Sequence, residues 1–337
     1  MDPISQGALG ASLSQAAARR GKQVIAASLV GAIGGMVPDL DVLMRSSTDP
    51  LLFLEYHRQF THSLIFIPIG GVLTGLLLFF VFGRILGLTL KSTVLFTTLG
   101  YATHALLDAC TTYGTQLLWP FSNARVAWNT VSIIDPLFTL PLLVCITLGL
   151  VKKRPLYSRV GLAYGLCYLL LGLVQRDRAE TVGWQLAQSR GHAPIRLEAK
   201  PSFGNLLLWK IVYETETHFY IDAVRVLNQS KLYPGEAARK LDLAADFPWL
   251  KPTSQQYQDV QRFDWFSNHY LALDPKAPNR IIDTRYSMVP NEISPLWGIE
   301  LDPYATAEQH VVYYTARDTG PEKQQKFWQM LTGEDLD

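Results

Sequence analysis

Between residues 63 and 83 the chain carries no Asp, Glu, Lys or Arg, and most side chains there are apolar. A bilayer core of about 30 Å is crossed by roughly 20 such residues in a helix, so this run alone predicts a membrane-spanning segment. Further charge-free stretches follow at 92–107, 136–151 and 160–175, and beyond Arg176 the composition becomes that of a soluble protein. Only 18% of the 337 residues are charged, against roughly 25% for an ordinary globular chain, and the first half accounts for the deficit. We therefore expect an α-helical integral membrane domain over 1–175 with about five to six helical segments, followed by a soluble α+β, β-rich domain over 176–337. The segments are drawn at 4–18, 24–37, 62–82, 92–109, 132–151 and 160–174. The first two are short and rich in Ala, Gly and Ser, which suits either a tight hairpin buried among longer helices or a partly interfacial position.

A net charge of +1, with basic residues only in short groups beside apolar spans, excludes a nucleic-acid footprint. Those groups instead orient the helices. Arg19, Arg20 and Lys22, then Arg84 and Lys91, then Lys152, Lys153, Arg154 and Arg159 occupy alternate loops, which the Lys/Arg bias of short loops assigns to the cytoplasm. The N-terminus, the connections 38–61 and 110–131 and everything beyond Arg176 then fall on the opposite, periplasmic side. Asp2, Asp39, Asp41, His57, His62, His104, Asp108 and Asp135 gather at that same end of their segments. Cys110, Cys145 and Cys167 have no metal-ligand or disulfide spacing and read as buried apolar fillers. Asp2 and Pro3 stand where a signal peptide has its basic region, so no cleaved signal is expected.

The soluble half is expected to open with a helix at 179–189 and to continue with a hairpin of strands at 206–214 and 218–226. Further strands are read at 270–273, 280–286, 297–301 and 310–315, with helices near 254–263 and 322–331. It shows no nucleotide loop, nucleophile elbow or metal cluster.

Three short motifs carry chemistry. In His104-Ala-Leu-Leu-Asp108 the imidazole and carboxylate are spaced i, i+4, so both face one side of a helix and can converge on a cation; a helix-end His satisfied by a neighbouring carboxylate has the same spacing. Ionisable groups near bilayer depth cost roughly 2.5 to 3.5 kcal/mol each, which favours the functional reading. His57-Arg58-Gln59-Phe60-Thr61-His62-Ser63 offers two imidazoles and a guanidinium ahead of the long apolar run, as a metal site or as a polar juxtamembrane loop. Pro38-Asp39-Leu40-Asp41 supplies two carboxylates, or simply a turn. Together these topologically adjacent ends provide mixed nitrogen and oxygen ligands for a one- or two-metal hydrolytic centre.

Met1-Asp2-Pro3-Ile4-Ser5-Gln6-Gly7, Pro38-Asp39-Leu40-Asp41, His57-Arg58 with Thr61-His62-Ser63, His104-Ala-Leu-Leu-Asp108, Thr112-Tyr113-Gly114 and Trp119-Pro120 resemble, in order and spacing, the motifs of the bacterial membrane-bound metal-dependent hydrolase family, also labelled LexA-binding inner-membrane-associated hydrolases. The resemblance covers residues 1 to about 175. It implies a bacterial inner-membrane protein with a metal-dependent hydrolase site. A LexA contact would need a cytoplasmic surface, and the loops assigned to that side are only a few residues long, so no protein partner is legible.

The expected ligands are His57, His62, His104 and Asp108, with Asp39 and Asp41 as bridging ligands or general base. Zinc is the first choice of divalent cation, manganese or magnesium the alternatives. Arg58 is expected to meet a phosphoryl or carboxylate oxygen, or else to reach the lipid headgroups. Asp2 and Asp135 are candidate orienting partners for imidazoles, Asp135 equally a helix cap. Tyr113, Trp119 and Trp128 read as an interfacial aromatic belt. A site at the membrane surface points to membrane lipids and to a lipid-linked or phosphoester substrate. The competing reading is a non-enzymatic membrane protein whose His/Asp cluster holds a metal structurally or handles ions, with the soluble half as an interaction module.

Overall fold

Asp2 starts the first helix. Its carboxylate accepts from the backbone N–H of Ile4 (3.1 Å) and Ser5 (3.0 Å), and Pro3 fills the first turn, where a missing N–H costs nothing. The computed structural model, which describes residues 1–336, continues through α1 (Pro3–Ala17), α2 (Lys22–Met36) and a 3₁₀ turn at Val37–Leu43. Then come α3 (Leu52–Tyr56), a 3₁₀ turn at Phe60–His62, α4 (Phe66–Leu78) with a π turn to Gly83, α5 (Leu90–Ala109), α6 (Pro136–Lys152) and α7 (Leu156–Ser189). Three of the described helices are long and apolar enough to cross a membrane, Lys22–Leu43, Phe66–Gly83 and Leu156–Ser189. Each of the six segments drawn from the sequence falls on a helix, α1, α2, α4, α5, α6 and α7, but only these three meet that measure. α5 is long enough, but it turns Thr93, Thr97, Thr103, His104 and Asp108 inward, and this lowers its hydropathy.

The chain divides into two units. The first comprises Met1–Met44, Tyr56–Val174 and Phe203–Asn205; the second comprises Arg45–Glu55, Gln175–Ser202 and Leu206–Asp337. In the first, α1 and α2 form the tight hairpin rather than an interfacial pair. A Cβ placed on Gly10 would stand 3.1 Å from the Cα of Gly35 and 3.3 Å from that of Gly100, so α1, α2 and α5 meet backbone to backbone. Buried polar groups tie the same helices together: Ser14 Oγ donates to the Phe96 carbonyl (2.7 Å) and Gln15 Nε2 to Ser28 Oγ (2.7 Å). The helix expected from residue 62 starts only at Phe66, because the N–H of Leu64 is drawn to the Leu117 carbonyl (2.9 Å). The cysteines are unpaired as expected, but only Cys110 is buried; Cys145 is half-buried and Cys167 lies on the exposed face of α7.

α7 fuses two helices that the sequence reading kept apart, 160–174 and 179–189. Nothing in Gln175-Arg176-Asp177-Arg178 breaks a helix, so the polar stretch marks a change of surroundings and not an end.

The second unit holds two antiparallel four-stranded sheets, in the order β1-β2-β3-β4 and β5-β6-β7-β8. The strands are β1 (Arg196–Pro201), β2 (Leu208–Glu214), β3 (His218–Val226), β4 (Ser230–Arg239), β5 (Leu271–Asp274), β6 (Ala277–Asp283), β7 (Trp297–Glu300) and β8 (Val312–Thr315). The helices are α8 (Leu243–Asp246), α9 (Gln255–Phe266) and α10 (Pro321–Thr332). Val212, Phe219, Ile221, Tyr270, Ala272 and Ile282 form one core. β1 and β4 escape the sequence reading because they are the edges of their sheet and rich in charge, Pro and Gly, as protected edges are. Arg262 of α9 binds Asp49 (2.8 Å) and Glu55 (2.5 Å) and so fastens the segment Arg45–Glu55 within this unit.

Lys210 on β2 is buried, its Nζ donating to Ser287 Oγ (2.8 Å) and the Glu292 carbonyl (3.2 Å). Burial, helped by Lys200, pulls its ammonium from the usual 10.5 down to about 7, against the pull of Asp283, Glu236 and Glu292. The unfolded chain therefore binds more protons between those values, so stability rises with pH across that window and the penalty is complete below it. We expect the thermal midpoint of the second unit to climb from about pH 7 to about pH 10, and Lys210→Met to flatten that climb; calorimetry of both proteins against pH reads the difference.

Candidate metal centre

α1 begins, α2 ends, α4 begins and α5 ends around one cluster of imidazoles and carboxylates. Asp39 and Asp41 come from the 3₁₀ turn after α2, and Pro38 sets that turn at its start. His57 and Arg58 precede the Phe60–His62 turn, and His104 and Asp108 face inward one helical turn apart on α5. Arg58 adopts a left-handed backbone (φ 64°), a costly conformation that lets its N–H reach Asp41 Oδ2 (3.0 Å) while its side chain turns to Asp108.

The ring nitrogens can be assigned from their partners. His104 Nδ1 lies 2.6 Å from the Gly35 carbonyl and must carry the proton that it donates. The Thr61 hydroxyl gives its own proton to Asp41 Oδ2 (2.8 Å), so toward His62 Nδ1, 2.9 Å away, it can only accept. In its neutral form each imidazole therefore presents a bare Nε2 lone pair, and the two Nε2 atoms face each other at 2.8 Å. Asp108 Oδ2 stands 3.2 Å from His62 Nε2 and 3.5 Å from His104 Nε2, and Asp39 Oδ1 stands 3.5 and 3.3 Å from the same atoms. Four acceptor atoms thus converge with no proton assigned among them, and buried Asp108 Oδ2 accepts no well-directed hydrogen bond. Such a donor set could hold a divalent cation, with His104 oriented from behind by the Gly35 carbonyl and His62 by the Thr61 hydroxyl and Asp41.

A second group, Asp39, Asp41 and His57, shares Asp39 with the first. His57 Nδ1 lies 2.7 Å from Asp41 Oδ1, which leaves its Nε2 for a cation. Burial, with the Arg58 charge alongside, pushes the His57 imidazole below its usual value against the pull of Asp41, toward the neutral form that a ligand needs. Within each group the ligand atoms lie within 4.8 Å of one another. His62, His104 and Asp108 are fully buried, whereas the side chains of Asp39 and His57 keep 21% and 17% of their exposure, so the centre opens on their side.

The structure thus brings together all seven residues named from the motifs. Arg58 is buried, with Nε 3.0 Å from Asp108 Oδ2 and Nη1 donating to Thr111 Oγ1 (3.0 Å); its guanidinium is inside the cluster and not out among headgroups. Asp2 caps α1. Asp135 caps α6 through the N–H groups of Leu137 (3.0 Å) and Phe138 (3.2 Å) and accepts from Tyr168 (2.9 Å).

Sequence reasoning passed over several neighbours. Gln6 donates to Asp108 Oδ1 (2.9 Å), and the Met1 amino group is on the same oxygen. Tyr113, read as part of an interfacial belt, has its ring 4.8 Å from the Arg58 guanidinium and 5.5 Å from the His57 ring, as a wall of the cluster. Gln6 had one signal, an amide inside an apolar helix. Gly35 had none, because it acts through its backbone.

The sequence pattern of the YdjM inner membrane protein family matches residues 1–179, which contain every residue of the cluster. The chain is 25% identical over 265 residues to the uncharacterized protein YfhP of Bacillus subtilis (strain 168), covering 75% of each. It is 34% identical over 119 residues to the inner membrane protein YbcI of Escherichia coli (strain K12), covering 34% of this chain and 66% of that one. No solved structure matches.

Proposed function

Since the chain belongs to the YdjM inner membrane protein family, we propose that its His/Asp cluster makes it a membrane-bound metal-dependent hydrolase acting on a phosphoester or lipid-linked ester. The observation that carries the reading is the pair of bare Nε2 atoms 2.8 Å apart beside two carboxylates, in a centre that is half open at Asp39 and His57. A structural metal site is closed on all sides, whereas a catalytic one keeps a position for water and substrate.

His62, His104, Asp108 and Asp39 would hold one cation, and His57 with Asp41 and the shared Asp39 a second, zinc being favoured by the imidazoles and manganese or magnesium by the carboxylates. A divalent cation there would supply Lewis acidity and would lower the pKa of a water beside it toward about 7. The chain's own residues do the rest. Asp41 orients His57 and His62, and either Asp39 on the open side or the buried Asp41 would take the proton from the attacking water. Arg58 fixes Asp108 and reaches Thr111, and so holds a positive charge beside the cluster that would favour an anionic substrate. In this reading the chain crosses the inner membrane several times, with the cluster and the second unit on the periplasmic side. The Lys/Arg content of the alternate loops supports that orientation.

The test is metal analysis of the purified full-length protein together with hydrolysis assays on phosphomonoesters, phosphodiesters and phospholipids, with and without chelator. Bound cation and chelator-sensitive release of phosphate or headgroup is the expected result. A metal-loaded protein inert toward every ester class would leave the non-enzymatic metal cluster as the better account.

A further inference from the structure

An apolar groove of about 310 Å³ runs beside the cluster in the first unit. It is lined by Leu40 of the 3₁₀ turn and Met44 just after it, by Phe66 and Leu73 of α4, and by Thr61 and Asp41, the Asp41 carboxylate itself being buried. Gly70, which also lines the groove, has no side chain, and a Cβ there would collide with the Tyr101 ring. The Tyr101 ring fits against α4 there, and its hydroxyl donates to the Thr61 carbonyl (2.8 Å), making the groove's floor part of the hydrogen-bonded frame of the cluster.

Two features identify the occupant. Leu40 and Leu73 are 58% and 60% exposed, and Leu73 lies on Phe66–Gly83, a helix apolar enough to cross a membrane, so the groove opens on the surface that such a helix turns to hydrocarbon. The lining, apolar along α4 and including the hydroxyl-bearing Thr61, suits an amphiphile and not a peptide or a water-soluble ester. The volume sits at the low end of the roughly 300–1,000 Å³ of small-ligand pockets, a size for one chain and not for a whole two-chain lipid.

We infer that this groove seats one acyl chain of a membrane phospholipid and so brings the lipid's headgroup to the edge of the cluster at Thr61, whose hydroxyl is bonded to the buried Asp41. The catalytic meaning of that seating rests on the hydrolase reading above; the seating itself does not. Asp41 Oδ1 and Oδ2 are held by His57 (2.7 Å) and His62 (3.2 Å), so a chain ending at Thr61 leaves the next atoms of the lipid near both imidazoles.

The experiment uses the full-length protein in phospholipid nanodiscs doped with a phospholipid that carries a diazirine on its acyl chain, irradiated in the presence of chelator, with adducts mapped by peptide mass spectrometry. Leu40, Met44 and Leu73 are expected to label about tenfold more than Leu77 and Leu140, which are similarly exposed but do not line the groove. Leu73→Trp, at an exposed rim position, is expected to lower groove labelling by about tenfold, whereas Leu77→Trp leaves it unchanged. Uniform labelling of exposed apolar residues overturns the inference, as does groove labelling indifferent to Leu73→Trp, or a crosslinked dimer through the groove in place of lipid adducts. Because chelator is present, the two readings fail separately. Groove labelling in a protein that hydrolyses nothing upholds the chain site and removes the hydrolase, whereas hydrolysis of soluble phosphoesters with uniform labelling removes the chain site alone.

Discussion

Replacing His62 by Ala, or Asp108 by Asn, is expected to lower the metal retained by the purified protein by about 10-fold or more, since loss of a direct ligand should at least match the ~10 to 100-fold cost of losing a residue that only orients one. His62 contributes one of the two facing Nε2 atoms, and Asp108 contributes the buried Oδ2 that no hydrogen bond claims. Asn is the better probe at 108. Both substitutions remove the counter-charge of Arg58, but Asn keeps the volume and a carbonyl oxygen that can accept from Gln6 or Arg58, whereas Ala would leave both buried donors facing a cavity and unfold the protein for reasons unrelated to metal. The measurement is metal content after dialysis against a metal buffer, with the thermal midpoint as the check on folding. Full retention in both variants would make the cluster a polar helix junction.

Asp41→Asn should cut hydrolysis by about 10²-fold or more, the scale of a lost positioned acid or base. The fold should survive, because Asn can still accept from the Arg58 N–H and the Thr61 hydroxyl. What is lost is the charge that faces two ring nitrogens at once, His57 Nδ1 at 2.7 Å and His62 Nδ1 at 3.2 Å. Measuring metal affinity and turnover on the same preparation separates the roles open to this residue. If Asp41 acts by orienting the imidazoles, both fall together; if it takes the proton from water, turnover falls while metal stays. Unchanged turnover removes Asp41 from the mechanism.

The sequence showed that an apolar helical part precedes a β-rich part, because both signals are local. A charge-free run and an alternating strand are legible within a window of twenty residues. It also supplied the seven residues of the cluster, since His and Asp carry their chemistry in their identity wherever they stand. Three-dimensional packing was needed for everything that depends on distant backbone. No local pattern reveals that the Gly35 carbonyl fixes the His104 tautomer, or that Asp41 orients imidazoles sixteen and twenty-one positions away. Nor does one show Arg58, readable as a surface cation, buried against Asp108 from another helix. The edge strands β1 and β4 failed for the opposite reason: an edge is defined by its neighbour, and their own residues are those of exposed loops. Residue type and spacing thus determined by themselves which groups were available for chemistry and roughly where helices and sheets would form. Only the tertiary structure decided which lone pairs are left bare and face one another, because a hydrogen bond to one ring nitrogen is made across the fold and fixes what the other nitrogen can do.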